Sequence, residues 1–294
     1  MLEIPTGASL TFGLLTAAIA ALWLPWRPGR APSGALWLGL LIAAVVCGYG
    51  YGFVNERGVL ALAALGLVAH AARRPAATAL QRRVATGLAA VLAAGLMAHV
   101  VPGFDNPRVI DSVKLSPAAI PYSKFLNLDK AAAGLLLAAL AGVGLATKAQ
   151  WRAILRAVVR LAPATAIVLL ALSWALGYVA WEPGWPRILL FWAWANLVFT
   201  CVAEEALFRG FVQRRLEAGL AHYRHGPLAA LIAAAALFGL AHAAGGWRYV
   251  ALSTVAGLGY GLAYQRSGRL EASIATHFLV NALHFTLFTY PALA

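Results

Sequence analysis

Long stretches without a formal charge constrain this chain more than any other feature. Residues 188–203, ILLFWAWANLVFTCVA, are one example. Ten such runs are readable, at about 8–25, 35–53, 57–72, 84–102, 130–147, 162–181, 187–213, 228–244, 248–265 and 270–290. A helix needs roughly 20 apolar residues to cross ~30 Å of hydrocarbon. Transmembrane strands would alternate apolar and polar residues, and these runs do not. Hydrophobic residues make up 62% of the 294, and charged residues only 11%, against roughly 25% charged in a soluble domain. The sequence therefore predicts an all-α fold: a polytopic membrane helical bundle of about ten transmembrane helices, the third being short. The first run makes a poor signal peptide, because residues 1–9 carry Glu3 and no Lys or Arg.

A net charge of +13 could suggest nucleic acid, but the placement of the basic residues argues otherwise. Loops after alternate runs hold Arg27, Arg30, Arg73, Arg74, Arg82, Arg83, Lys148, Arg152, Arg156, Arg160, Arg209, Arg214, Arg215, Arg224, Arg266 and Arg269, which is 16 of the 23 Lys and Arg. The opposite side holds Arg57, Arg108, Lys114, Lys124, Lys130, Arg187 and Arg248. Basic loops stay cytoplasmic, so both termini are expected outside the cytoplasm. The charge is then a topology signal, and no nucleic-acid partner is expected. Ala, Arg and Leu richness suits a bacterial protein, and hence the cytoplasmic (inner) membrane.

One connection is long: GFDNPRVIDSVKLSPAAIPYSKFLNLD, residues 103–129. Loops of this length are often lids or interface segments, but a solvated connector on the outer surface is the simpler expectation. It divides the chain into residues 1–125, an N-terminal transmembrane bundle of about four helices with no assigned role, and residues 126–294, a core of about six. Cys47 and Cys201 lie in apolar runs 154 positions apart and read as buried packing residues rather than a disulfide framework.

Ionisable side chains inside apolar helices are costly and usually functional. Of the ten acidic residues, only Glu204 and Glu205 follow a long uncharged run. Glu205 and Arg209 are spaced to pair along one helix face. Glu204, about 100° around the helix, need not share that arginine and stays available as a general base. Phe238 and His242 lie one turn apart in FGLAH, and His277 and Asn281 one turn apart in HFLVN, with His284 continuing that face. Lone membrane histidines are ordinarily packing residues, and His70 and His99 are read so. Helical rise places Glu204 and His242 both roughly 27–30 Å from the turn near residue 222. His277 and Asn281 lie only roughly 15–21 Å from the next turn on that side. The three elements meet only if the first hairpin projects about 10 Å further.

EEALFR fits the pattern EExxxR, FGLAH fits FxxxH, and HFLVN fits HxxxN. In this order the chain resembles the CPBP family of glutamic-type intramembrane proteases, also called the CAAX protease or Abi family, and is similar to the type II CAAX prenyl endopeptidases. The resemblance covers about residues 190–290. It implies an intramembrane endopeptidase, a hydrolase that cleaves a membrane-associated protein or peptide substrate in contact with the lipid bilayer. Under it Glu204 activates water, His242 helps hold it, and His277 and Asn281 stabilise the oxyanion, while Glu205, Arg209 and Phe238 support them. No cofactor is expected. Zinc held by Glu204, His242 and His277 is the alternative, although the HExxH spacing is missing. A non-catalytic immunity or scaffolding factor on the same fold is a further alternative. A transporter is ranked last, because the two halves look unlike.

Overall fold

The computed structural model describes residues 2–24 and 33–294. Arg27 and Arg30, counted above among the basic loop residues, lie outside the described residues. Ten helices follow the ten apolar runs one for one: α1 Ala8–Ala21, α2 Ser33–Gly50, α3 Glu56–Ala71, α4 Ala79–Met97, α5 Leu128–Ala141, α6 Lys148–Ala175, α7 Leu189–Gly219, α8 Gly226–Leu240, α9 Gly246–Ser267 and α10 Leu270–Leu287. Side-chain caps start several of them. Thr78 with Gln81, and Thr147 with Gln150, form reciprocal capping boxes at α4 and α6, and Asn55 caps α3.

Among the described residues, α6 and α7 are long and apolar enough to cross a bilayer, and α8 and α9, bent by 57° at their junction, would together make a third such span. Several of the others are shorter than the sequence runs suggest. α1 and α5 have 14 residues and α8 has 15, about 21–23 Å of helix. Large apolar side chains such as Leu67, Val91, Val159, Ile167 and Leu190 stand exposed on the outer surface, as lipid-facing positions should.

α5 is the pivot of the packing. Nearly every residue from Leu128 to Ala138 is buried, the mark of a helix enclosed all round. Helices α1, α3, α4 and α7 all pack against it. A single apolar core runs from Phe12 and Leu15 through Leu135 and Ala206 to Phe238 and Val280. Helices α6, α9 and α10 pack against one another, and α8 joins α9 to α7.

The connection at 103–129 is not a solvated connector. It folds into an antiparallel hairpin, β1 Arg108–Val113 with β2 Tyr122–Phe125, with two irregularities in its register. Its turn region is tied down further. Ile120 N–H donates to Ala292 O at 3.1 Å, and Leu293 N–H donates to Tyr178 O at 3.0 Å. Apolar side chains of the hairpin, Ile110 and Tyr122, pack on Trp192 of α7 and Phe285 of α10. That burial anchors the hairpin, while Arg108, Asp111, Lys114 and Ser123 stay exposed.

α7 is not a plain α-helix. Two π-helical stretches, Asn196–Cys201 and Ala206–Gln213, flank a single α-turn, Val202–Glu205. The wider i→i+5 winding fits more residues into each turn, and it often marks functional positions.

Candidate active site

The α-turn between the two π stretches carries Glu204 and Glu205, both buried. The structure sends them to different partners. Glu205 is fully enclosed. Its Oε1 accepts from Arg209 Nη1 at 3.0 Å and from His277 Nδ1 at 2.8 Å. A carboxylate only accepts, so Nδ1 carries the proton and Nε2 is the ring nitrogen left for chemistry. Arg209 also donates from Nη2 to the Gly257 carbonyl at 2.8 Å. Four residues on, Gln213 donates to the Gly261 carbonyl at 3.2 Å. Two rungs at helical spacing thus tie α7 to α9. Phe238 lies under the Arg209 guanidinium at 4.8 Å and stands edge-on to His277 at 5.8 Å. The Phe of FGLAH is therefore the apolar wall that holds this cation and that imidazole in place.

Glu204 faces a cavity of about 490 Å³. His242, His277, Asn281 and Phe238 line the same cavity, so residues from α7, α8 and α10 converge on one space. His277 Nε2 lies 3.9 Å from Glu204 Oε2, too far for a hydrogen bond, and its ring stacks on Tyr260 at 4.4 Å. Asn281 Nδ2 donates to Asn196 Oδ1 at 3.2 Å and lies 3.9 Å from Cys201 Sγ, a weak acceptor. His242 is not inside a continuous helix. It sits in the break after α8, and its Nδ1 donates to the Phe238 carbonyl at 2.7 Å. Its Nε2 is therefore the free nitrogen. His284 also lines the cavity, and its Nε2 donates to Thr289 O at 3.2 Å.

The three motifs line one cavity although counting helical rise sets them about 10 Å apart. The π-helical turns between Glu205 and Arg214 advance less per residue than an α-helix and account for a part of that difference.

Residues 185–283 match the family model described as type II CAAX prenyl endopeptidase Rce1-like. The matched residues run from α7 to most of α10 and contain all three motifs. The family is one of CAAX-type prenyl endopeptidases, and the match supports a peptidase in a chain whose apolar helices suit a membrane. No curated protein and no solved structure matches the chain.

Outside the Rce1-like segment, the structure adds residues that sequence reasoning missed. Lys130, read above as a basic loop residue, lies in the first turn of α5, and its Nζ donates to Glu204 Oε1 at 2.6 Å. Glu204 is thus a paired carboxylate. Gly134, one turn further on, makes the approach possible. A Cβ there would stand 2.4 Å from the Ala203 Cα, so α5 and α7 meet backbone to backbone beside the glutamates. Lys124 of the hairpin lines the cavity and donates to Thr200 Oγ1 at 3.3 Å. Asn127 follows it around the rim. Beyond the cavity, His99 is not a packing residue either. Its Nδ1 donates to buried Asp129 at 2.7 Å, and Asn106 donates to the same carboxylate at 3.0 Å.

Burial, followed by the neighbouring Lys130, pulls the Lys124 ammonium down to about 8. Burial disfavours the charged form, so Lys124 loses its proton at a lower pH than an ordinary lysine, whose value is about 10.4. At pH 8.5 Lys124 is expected to be mostly a free amine, when a solvated lysine is only about 1% deprotonated. Brief acetylation at that pH, read by peptide mass spectrometry, should modify Lys124 ahead of Lys114 and Lys148. Equal labelling of the three would contradict the assigned environment.

Among the described residues, no three His, Cys, Asp or Glu side chains are grouped closely enough to hold a metal ion. Glu204, His242 and His277 share a cavity, and Lys130 occupies Glu204 Oε1.

Proposed function

We propose that the chain is an intramembrane endopeptidase that hydrolyses a peptide bond of a membrane-associated protein or peptide without a metal. The observation that carries this reading is the division of labour between the adjacent glutamates. Glu205 is sealed between Arg209 and His277, while Glu204 borders a cavity large enough for an extended peptide strand and lined by both other motifs.

Glu204 Oε2 takes a proton from water as the water oxygen bonds to the substrate carbonyl carbon. His242 Nε2 accepts the other water hydrogen and fixes its direction. Charge then develops on the carbonyl oxygen. Asn281 Nδ2 donates to it, giving up its long contact with Cys201 Sγ, and so does His277 Nε2 when that ring is doubly protonated. Glu205 at 2.8 Å and Glu204 at 3.9 Å complement that cation. When the tetrahedral species collapses, Glu204 returns the proton to the departing amine. Lys130 compensates the base's charge in a site where an unpaired carboxylate would cost several kcal/mol. The hairpin β1–β2 and residues 288–292 cover the cavity, with Ile120, Tyr122, Phe125, Tyr290 and Ala292 facing inward. These five side chains suit apolar residues of a peptide, with Lys124 and Asn127 as polar positions beside them.

The test is cleavage of membrane-anchored peptides, prenylated and unprenylated, by the full chain in vesicles with and without a strong chelator. Cleavage that survives chelation is expected, and cleavage abolished by chelation and restored by zinc would overturn the metal-free assignment. In the same assay Asn281→Ala is expected to lower kcat about 10²–10³-fold, with little change in KM, as loss of one oxyanion donor does.

The same reading places both termini outside the cytoplasm. Arg209, Lys124 and Lys130 are site cations and no longer count towards topology. That leaves fifteen basic residues on the proposed cytoplasmic side against five on the other, a stronger bias than the raw one.

A further inference from the structure

A second polar site lies away from the catalytic cavity. Between α6 and α9 is a groove of about 270 Å³ lined by Ala153, Arg156, Ala157, Arg160, Leu161, Leu262 and Arg266. Three of these seven are arginines, and no acidic residue lines the groove. Among the described residues none of the three has a carboxylate partner. Arg156 and Arg160 are one turn apart on α6, and Arg266 lies in the last turn of α9. Like charges at this spacing repel, so the cluster is unfavourable unless an anion shares it. The floor is apolar, made by Ala157, Leu161 and Leu262.

Depth in the membrane narrows the anion. α6 has 28 residues, or about 42 Å of helix, roughly 12 Å more than the hydrocarbon thickness. Lys148, Arg152, Arg156 and Arg160 fall in its first half, and residues 161–175 carry no charge. The arginines therefore stand at the boundary between headgroups and hydrocarbon, on the side the basic loops mark as cytoplasmic. Exposed Val159 and Ile167 continue the same helix into the apolar zone. An arginine fork matches phosphate oxygens in pairs, and basic pockets between helices at this depth suit phospholipid headgroups.

We infer that the groove between α6 and α9 binds the phosphate of an anionic phospholipid, with Arg156, Arg160 and Arg266 as its ligands and Leu161 and Leu262 against the start of an acyl chain. Such a lipid ties together the two helices that form one wall of the catalytic cavity. One turn deeper they pack closely, the backbone of Gly259 against the Thr165 side chain. A Cβ on Gly259 would lie 2.2 Å from Thr165 Oγ1. Deeper still, Leu169, Leu170 and Ser173 of α6 and Leu252, Ser253 and Ala256 of α9 line the cavity itself.

The experiment uses the purified full chain in neutral detergent, with phosphatidylglycerol, phosphatidylcholine or inorganic phosphate added in separate arms. Retained lipid is counted by native mass spectrometry, and the unfolding temperature is recorded. The wild-type chain should hold one phosphatidylglycerol at least tenfold more tightly than phosphatidylcholine and gain thermal stability from it. Inorganic phosphate should give less than a tenth of that effect. R156Q/R160Q/R266Q should lose the tenfold preference, whereas R73Q/R74Q, which alters arginines elsewhere on the same side, should keep it. Equal retention of the two lipids by the wild-type chain would overturn the inference, and that arm stands even if the triple variant does not fold. An equal effect from inorganic phosphate, or equal loss in R73Q/R74Q, would also overturn it.

Discussion

Glu204→Gln is expected to lower cleavage at least a thousandfold while the protein still folds. The side chain keeps its size, and its amide oxygen can still accept from Lys130 Nζ, which is 2.6 Å from Oε1. What is lost is the ability to take a proton from water. General base catalysis typically supplies about 10²–10⁴ in rate, and no other free carboxylate borders the cavity among its lining residues. Glu205 cannot substitute, because it is fully enclosed and its Oε1 is committed to Arg209 and His277. The measurement is single-turnover cleavage in vesicles, with the unfolding temperature as a check on folding. Cleavage within tenfold of wild type would end the assignment of Glu204 as the base.

Arg209→Met should have the largest effect on stability, a loss of about 3–5 kcal/mol, because removing one partner of a buried pair strands the other. Arg209 is completely buried and supports three things at once: the Glu205 charge, the Gly257 carbonyl and the face of Phe238. Methionine fills much of the volume but supplies no donor. The double variant Glu205→Gln with Arg209→Met should recover part of the loss, since no unpaired charge is then left inside. Thermal unfolding in detergent measures both. A single variant as stable as wild type would show that the pair is not needed to hold α7 against α9.

Whatever depends on spacing within one helix was legible in the sequence. The Glu205–Arg209 pair follows from residues four apart, and the separation of Glu204 from it follows from the next residue's rotation. Ten helices were legible because each needs a long apolar run. Lys130 was not. It reads as a basic residue at the end of a loop, and only the close contact of Gly134 with Ala203 brings it onto Glu204. The hairpin was hidden for a related reason. Its strands are short and polar, and they are ordered by aromatic side chains from distant helices. The π winding of α7 has no signature in the residue pattern. Heights counted at α-helical rise therefore overstate the length of this segment.

That winding bears on how this segment can change over time. Because Ala206–Gln213 is over-full, the loss of one residue can be taken up by a π turn relaxing into ordinary α-helix, with the turns on either side left nearly in phase. Glu204 would keep facing the cavity and Gln213 its carbonyl on α9. An added residue has no such reserve and would turn everything on one side of it by about 100°. This stretch should therefore tolerate a single-codon deletion better than a single-codon insertion.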